Sequence, residues 1–271
     1  MLSVTSFAAT RKILALTHIN RSVSNHEVIP VIESAIFSKQ PNARLASGLI
    51  AVNGTALPGL EAEYLAHFEL RRKVYVDQTG QLAESDLQED GTDRDVYDAH
   101  SVTFAVFENH RMGVRVVGVA RLITRGPGRP LPIEEFCPDA FAPGSLAEGC
   151  VEMSRVIARH ENAALQDLLQ WHLFAAMLAY ITQHSVKRTF AIIEPWLERH
   201  LNGAVKISRI GDVRYVERYL DYNVPVEIDI PSSARRMNAR KDGFIDEYLA
   251  GGPELLLFDR VSTGSLSERI A

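Results

Sequence analysis

Two strand-like segments joined by a tight turn constrain the fold more than any other feature. SVTFAVFE (101–108) and VRVVGVARLI (114–123) are rich in β-branched and aromatic side chains, and only NHRMG lies between them. Such a pair across a short turn predicts an antiparallel β-hairpin. CVEMSRVIA (150–158), which has a similar composition, is a candidate third strand.

Helical patterns lie on both sides of these strands in the sequence. LEAEYLAHFELRRKVYV (60–76) repeats apolar residues at helical spacing, and ALQDLLQWHLFAAMLAYITQHS (164–185) is apolar around most of its circumference, which indicates a buried helix. KRTFAIIE (187–194) is a further strand candidate, and a short helix follows it. The order predicts an α/β sandwich, in which helices cover a mixed sheet.

The chain is divided by composition into one main domain with two flanks. Its 271 residues are 46% hydrophobic and 23% charged, which is typical of a globular protein. Weak, mixed signals up to NGTALPG (53–59) predict an N-terminal extension of one or two helices over residues 1–58. The main domain is placed at 59–250, and residues 251–271 are a C-terminal tail.

Several classes of protein are disfavoured by the composition. The net charge of −5 argues against a nucleic-acid partner, and no apolar run reaches the length of a transmembrane segment. Cys137 and Cys150 lack metal-ligand spacing, and no histidine pair completes a zinc pattern. We therefore expect a reduced, cytoplasmic protein without a metal or a permanently bound cofactor.

Three polar clusters are candidates for a functional site. They contain Arg71 and Tyr75 on the first helix; Asp93, Asp95 and Asp98 before the first strand; and Glu152, Ser154 and Arg155 on the third strand, with Arg121 on its neighbour. In a regular strand Glu152 and Ser154 share one face, while Arg155 lies on the other. We expect the clusters to converge at one end of the sheet, with Arg155 supporting the acidic loop or a protein partner from the opposite face.

Four short motifs contain these residues, and their order along the chain carries a family resemblance. LRRKVYV, DRDVYD, VVGVARLI and VEMSR resemble the Arg-x-x-x-Phe helix, Glu-x-Asp-x-x-Asp loop, strand arginine and Glu-x-Ser-Arg strand of the LuxI-type acyl-homoserine lactone synthases. YDAHSV, LPIEEF and IIEPWLERHL are more similar to the related N-acyl amino acid synthases and exosortase-associated acyltransferases. The resemblance covers roughly residues 60–230 and implies a GNAT-like fold, with a mixed central sheet flanked by helices.

The resemblance also implies roles for individual residues. Glu152, with Asp95 and Ser154, would be catalytic beside an acyl-phosphopantetheine thioester, since amide formation needs a base for the attacking amine. The acceptor would be bound by Arg71, Tyr75, Asp93, Asp98, Arg121 and Arg155. An apolar slot for the acyl chain is predicted at Trp171, Phe174 and Met177 on the long helix.

Departures from the family pattern bear on the substrates. Synthases that use S-adenosylmethionine carry a tryptophan where this chain has Gln81, and the first acid is Asp93 rather than glutamate. Both differences favour an amino acid as acceptor and leave S-adenosylmethionine possible. ARHENAALQDLL (158–169) lacks the glycines that cradle the diphosphate of coenzyme A, so an acyl carrier protein is the preferred donor and acyl-CoA the second choice.

The sequence therefore predicts an N-acyltransferase that makes an N-acyl amino acid or an acyl-homoserine lactone, a product of the quorum-sensing type. Two other classes stay open. One is a catalytically idle regulator that binds a lipid or carrier protein; the other is a CoA-dependent acetyltransferase of small amines. The acceptor, the acyl length, the oligomeric state and the role of residues 1–58 are not determined by the sequence.

Overall fold

The computed structural model describes residues 44–110, 113–142, 144–241 and 243–249. Its strands are β1 (Leu45–Val52), β2 (Thr55–Ala56), β3 (Ser101–His110), β4 (Gly113–Thr124), β5 (Cys150–Ala158), β6 (Arg188–Ile193), β7 (Lys206–Arg209), β8 (Arg214–Val216) and β9 (Asp221–Asp229). Its helices are α1 (Glu61–Arg72), α2 (Pro132–Phe136), α3 (Ala163–Gln183), α4 (Pro195–Leu201), α5 (Ile230–Arg240) and α6 (Phe244–Leu249).

One mixed sheet organises the described residues. Its order is β2-β1-β3-β4-β5-β6-β9-β7, with β8 paired to β9. β3 and β4 form the predicted antiparallel hairpin, and β5 continues the antiparallel pairing on β4. β5 and β6 run parallel because α3 crosses between them, which is the connection that parallel neighbours require.

Helices cover both faces of this sheet. The long α3 packs on one face, and Leu169, Leu173 and Met177 are fully buried there. This burial explains why the segment is apolar on nearly all sides. On the other face α1 packs through Phe68 against Phe107 and its neighbours on the central strands. The α/β sandwich with a mixed sheet that was predicted from the sequence is thereby confirmed.

Two sequence expectations differ from the structure. Residues 45–52, assigned to a helical N-terminal extension, are β1, a fully buried strand paired with β3. The remainder of that extension, up to residue 43, and the tail at 251–271 lie outside the described residues. The Pro231–Ser232 pair in the sequence predicts a serine cap for the last helix, but α5 begins after Asp229, whose carboxylate accepts the Ser232 N–H at 2.9 Å and is the cap.

A β-bulge interrupts β5 where its polar residues lie. Arg121 pairs with Ser154 and Val119 pairs with Ile157, so β5 uses one residue more than β4 over this stretch. Arg155 adopts a φ of 52°, which is unusual for any residue other than glycine. The bulge breaks the regular alternation, and Arg155 therefore reaches the acidic loop, where it pairs with Asp93 and shares Asp95 with Arg121, instead of lying on the opposite face.

β5 and β6 separate beyond the bulge. Their parallel pairing ends at Met153 and Ala191, although β5 continues to Ala158 and β6 to Ile193. A cavity lies in the gap between these two strands, and residues of both strands line it. Within the described part of the chain, no helix is long and apolar enough to cross a membrane.

Candidate active site

Three arginines and three aspartates form one buried ion-pair network. Arg71, Arg121 and Arg155 alternate with Asp93, Asp95 and Asp98, and none of the six side chains is more than 9% exposed. The sequence analysis predicted that these clusters would converge, and the structure brings them together. Their formal charges sum to zero.

Arg71 reaches the network from the last turn of α1. Its Nε donates to Asp93 Oδ2 at 3.0 Å, and its Nη1 donates to Asp98 Oδ1 at 2.8 Å. The short helical turn after Asp95 fixes the acidic loop itself, because Asp95 accepts the Tyr97 N–H and Asp98 accepts the Asp95 N–H. Helix and loop are thus held together by charge-assisted hydrogen bonds.

Arg121 joins the acidic loop to the sheet. Its two terminal nitrogens bind the Asp95 carboxylate at 2.6 and 3.0 Å, in the bidentate arrangement that a guanidinium favours. Nη1 also donates to Asp98 Oδ1 at 2.7 Å, and Nη2 donates to Ser154 Oγ at 3.3 Å. Asp95 and Ser154, two of the predicted catalytic residues, are therefore both ligands of Arg121.

Arg155 closes the network at the cavity. Its Nε donates to Asp93 Oδ2 at 2.9 Å, and its guanidinium lies 5.2 Å from the ring centroid of Tyr75 and 5.8 Å from that of Tyr219. A cation over an aromatic face gains electrostatic attraction. One face of the Tyr75 ring is therefore covered by Arg155.

The network keeps its carboxylates ionised. Burial alone would raise the pKa of Asp93 and Asp98, but the arginine charges and hydrogen bonds outweigh it, so that the pKa of each is lowered. Because Arg71 and Arg121 are buried and already bound to these aspartates, neither guanidinium presents a free fork to an acceptor carboxylate. Their position favours a role in holding α1, the loop and β5 together.

Glu152 lies on β5 next to this network and is almost fully buried. Its Oε2 accepts the backbone N–H of Ile133 at 2.7 Å, from the first turn of α2. Burial raises the pKa of Glu152 to about 8, although the hydrogen bond from Ile133 and the charge of Arg121 act in the opposite direction. A carboxyl group with this pKa can exchange a proton near neutral pH, as a general base requires.

The cavity between β5 and β6 has a volume of about 470 Å³. Its apolar wall includes Met153, Phe174, Leu197, Leu201, Ile207 and Ile228. Its polar wall includes Tyr75, Gln81, Glu152, Arg155, Glu194 and Tyr219. An apolar slot with a few convergent polar groups is the usual form of a small-molecule site.

Only part of the predicted acyl slot lines this cavity. Phe174 is in its wall, whereas Met177 is fully buried in the core on the same helix. Trp171 is absent from the wall, and the Lys241 ammonium lies 5.8 Å from its ring centroid. The lining instead includes Leu197 and Leu201 of α4, whose helical spacing places them on one face.

Sequence reasoning missed two polar residues of the cavity. Tyr219 follows β8. Burial raises the pKa of Tyr219, and the charge of Glu152 raises it further, so these two side chains are close. Glu194 ends the strand before α4, and its Oε1 accepts from Gln81 Nε2 at 2.5 Å. A carboxylate between an apolar strand and a Pro-initiated helix, IIEPW, was the available signal for Glu194.

The loop before α3 uses its own backbone amides. His160 N–H donates to Gln166 Oε1 at 2.6 Å, and Asn162 N–H donates to His160 Nδ1 at 2.9 Å. These two donors are therefore occupied, which weakens the loop as a diphosphate cradle.

Comparisons with known proteins indicate a class of domain for the central part of the chain. The family model described as an acetyltransferase (GNAT) domain matches residues 70–170. A comparison with curated proteins finds no significant match. Residues 70–170 are therefore similar to a GNAT-type acetyltransferase domain, and the fold and the motifs that suggested this class agree with the match.

Several solved structures are similar to this chain in fold. BjaI, a CoA-dependent acyl-homoserine lactone synthase solved with SAM and isopentyl-CoA, matches with a TM-score of 0.57 at 21% identity over 73% of this chain and 90% of its own. FeeM, an N-acyl amino acid synthase from uncultured soil microbes, matches with a TM-score of 0.53 at 15% identity over 74% and 99%. The acyl-homoserine lactone synthase LasI matches with a TM-score of 0.50 at 15% identity over 73% and 94%.

Proposed function

We propose that the protein is an N-acyltransferase that moves a fatty acyl group from a phosphopantetheine thioester to the amine of an amino acid-type acceptor. The observation that carries this proposal is Glu152, a buried carboxyl group with a pKa of about 8 in the wall of a largely apolar cavity. The structural likeness to BjaI and FeeM supports the same chemistry, because both are described as synthases of acylated amines.

The proposed reaction assigns a task to each side of the cavity. Glu152 takes a proton from the acceptor ammonium, and the resulting amine attacks the thioester carbonyl. Arg155 and Val156, which have no partner in the β4 register, both line the cavity. Their backbone N–H groups are the candidate donors to the tetrahedral oxyanion. Collapse of this intermediate forms the amide and breaks the carbon–sulfur bond.

The departing thiolate needs a proton. Burial raises the pKa of Tyr219, with a further contribution from the charge of Glu152, so its phenol is protonated at neutral pH. Tyr219 lines the cavity and is the candidate donor to the thiolate. The second proton of the attacking nitrogen, lost as the amide forms, restores the Tyr219 phenol, and Glu152 returns the first proton to solvent after turnover. The ion-pair network takes no part in proton transfer in this scheme; it positions Tyr75, Ser154 and Arg155 around the acceptor.

The identities of the acyl donor and of the acceptor are two further proposals. An acyl carrier protein is preferred because the loop before α3 uses the amides of His160 and Asn162 internally. Acyl-CoA is the second candidate, since BjaI is described as CoA-dependent. For the acceptor, an amino acid is preferred, and S-adenosylmethionine is the alternative.

The test is mass spectrometry of lipid extracts from a host that expresses the protein, compared with the same host expressing E152Q. We expect a series of N-acyl amino acids, or of acyl-homoserine lactones, that is present with the wild type and lost with the variant. Circular dichroism of both purified proteins controls for folding. A folded wild type without any acylated amine, in hosts that supply acyl carrier protein and acyl-CoA, would favour the idle regulator that binds a lipid or carrier protein.

A further inference from the structure

Glu194 stands apart from the other acidic residues in the cavity region. The aspartates of the network are each bound by arginine, but among the described residues no arginine, lysine or histidine pairs with Glu194. The hydrogen bond that holds its carboxylate comes from the neutral amide of Gln81. A carboxylate in a cavity wall without a cationic partner is a ready receptor for a cation.

Gln81 is itself held in place for this contact. Its Oε1 accepts from Thr79 Oγ1 at 3.1 Å, so its amide nitrogen is directed at Glu194. Thr79, in turn, donates to the backbone of the π-helical turn that follows α1. We call the Gln81–Glu194 hydrogen bond the clamp. It joins the end of β6 to the segment after α1, across 113 positions of sequence.

Neighbouring groups place the clamp within the reaction cavity. The charge of Glu194 contributes to the raised pKa of Tyr75, and the Tyr75 ring is covered by Arg155 of the β5 bulge. Glu194 therefore lies near Tyr75, directly after β6 and in the wall of the same cavity as Arg155. A cation bound there would sit between the two diverging strands.

We propose that Glu194, oriented by Gln81, binds a positively charged group of the acceptor and determines which amines enter the site. This inference rests on the proposed acyl transfer and adds to it the acceptor's charge class. The recognised group is the reacting ammonium itself or a second cation, such as a side-chain ammonium or a sulfonium. In both cases the carboxylate forms a charge-assisted hydrogen bond or ion pair with it.

The experiment measures kcat and KM of purified wild type, E194Q, E194D and E198Q with L-leucine, L-lysine and S-adenosylmethionine. E198Q is the matched control, because Glu198 lies on the adjacent α4 and binds Arg209 outside the cavity. We expect E194Q to raise KM by about tenfold with a much smaller change in kcat, as loss of one charge-assisted contact would. E194D should recover part of the loss.

The pattern across acceptors identifies the recognised group. An equal rise in KM for all three amines assigns the reacting ammonium, and a larger rise for L-lysine or S-adenosylmethionine assigns the second cation. Equal KM values for E194Q and E198Q would overturn the inference about Glu194. Turnover by the wild type in the same experiment would still support the proposed function. If the wild type acylates none of the three, calorimetric binding of each amine to wild type and E194Q tests the inference separately, and equal affinities would overturn it.

Discussion

Arg155 reaches Asp93 because the backbone at Arg155 turns to a φ of 52°. Without that turn the side chain would follow the regular alternation of β5 to the opposite face. The strained residue is retained by contacts on every side: Asp93 and Asp95 bind its guanidinium, and Tyr75 and Tyr219 lie beside it. The bulge and the acidic loop therefore depend on each other.

The first prediction concerns the stability of that contact. Asp93 accepts from both Arg71 and Arg155, so D93N leaves two buried guanidinium groups short of a counter-charge. We expect the free energy of unfolding to fall by about 3–5 kcal/mol, measured by urea denaturation. The control D77N removes a half-exposed pair with Arg72 and should cost about 0–1 kcal/mol. Similar losses in both variants would contradict a buried network.

The second prediction is the pH dependence of acyl transfer. Because Glu152 has a pKa of about 8, its basic form is a minority at neutral pH. We expect kcat/KM to rise about tenfold per pH unit below pH 8 and then to level off. Acceptor amines of different intrinsic pKa should give the same inflection. An inflection that follows the amine would show that the acceptor, and not Glu152, controls the profile.

The third prediction is the effect of pH on stability. The folded protein holds the Glu152 proton up to a pKa of about 8, whereas the unfolded chain releases it near the ordinary value of 4.5. Below pH 4.5 Glu152 is protonated in both the folded and the unfolded chain. As the pH rises from 4.5 towards 8, the unfolded chain has released this proton while the folded chain still holds it, so the stability of the folded state falls. We expect the difference in unfolding free energy between wild type and E152Q to shift in favour of E152Q over this interval. A constant difference would argue against the raised pKa.

The fourth prediction concerns acyl length. Phe174 lines the cavity, and its truncation in F174A lengthens the apolar space. We expect the product profile, read by mass spectrometry, to move towards longer chains. W171A, on the same helix but outside the wall, is the control and should leave the profile unchanged. A shift in W171A alone would place the acyl chain elsewhere.

The fifth prediction addresses the donor. With the amides of His160 and Asn162 occupied, the coenzyme A diphosphate gains little at this loop. We expect acyl-CoA and acyl-pantetheine, which lacks the diphosphate, to have KM values within about threefold of each other. A much lower KM for acyl-CoA would reveal a diphosphate site that the loop does not provide.

The sequence was a good guide where one local pattern decides the structure. The hairpin of β3 and β4 and the long helix α3 follow from composition and periodicity, and both form as predicted. β1 was missed because its segment, LASGLIAV, mixes small and apolar residues and lies beside weak signals. Its identity as a strand depends on pairing with β3, more than 50 positions away along the chain, which no local pattern reveals.

The candidate site shows the same division. Motif order predicted that Arg71, Arg121 and the aspartates would meet, and they do. The direction of Arg155 was wrong because a non-glycine residue with positive φ leaves no mark in the sequence. Glu194 was missed because its partner Gln81 lies far from it in sequence, so only tertiary structure places them together.

Electrical neutrality of the network has a consequence for how substrates approach. Three positive and three negative charges held within hydrogen-bond distance cancel at longer range, so their combined field is dipolar and fades over a few ångströms. Charged groups of the cavity wall that lie outside the network, Glu194 among them, then contribute more to the potential inside the cavity. A fold built in this way can bury six charges for rigidity and still leave Glu194, which we propose attracts the acceptor, outside the cancellation.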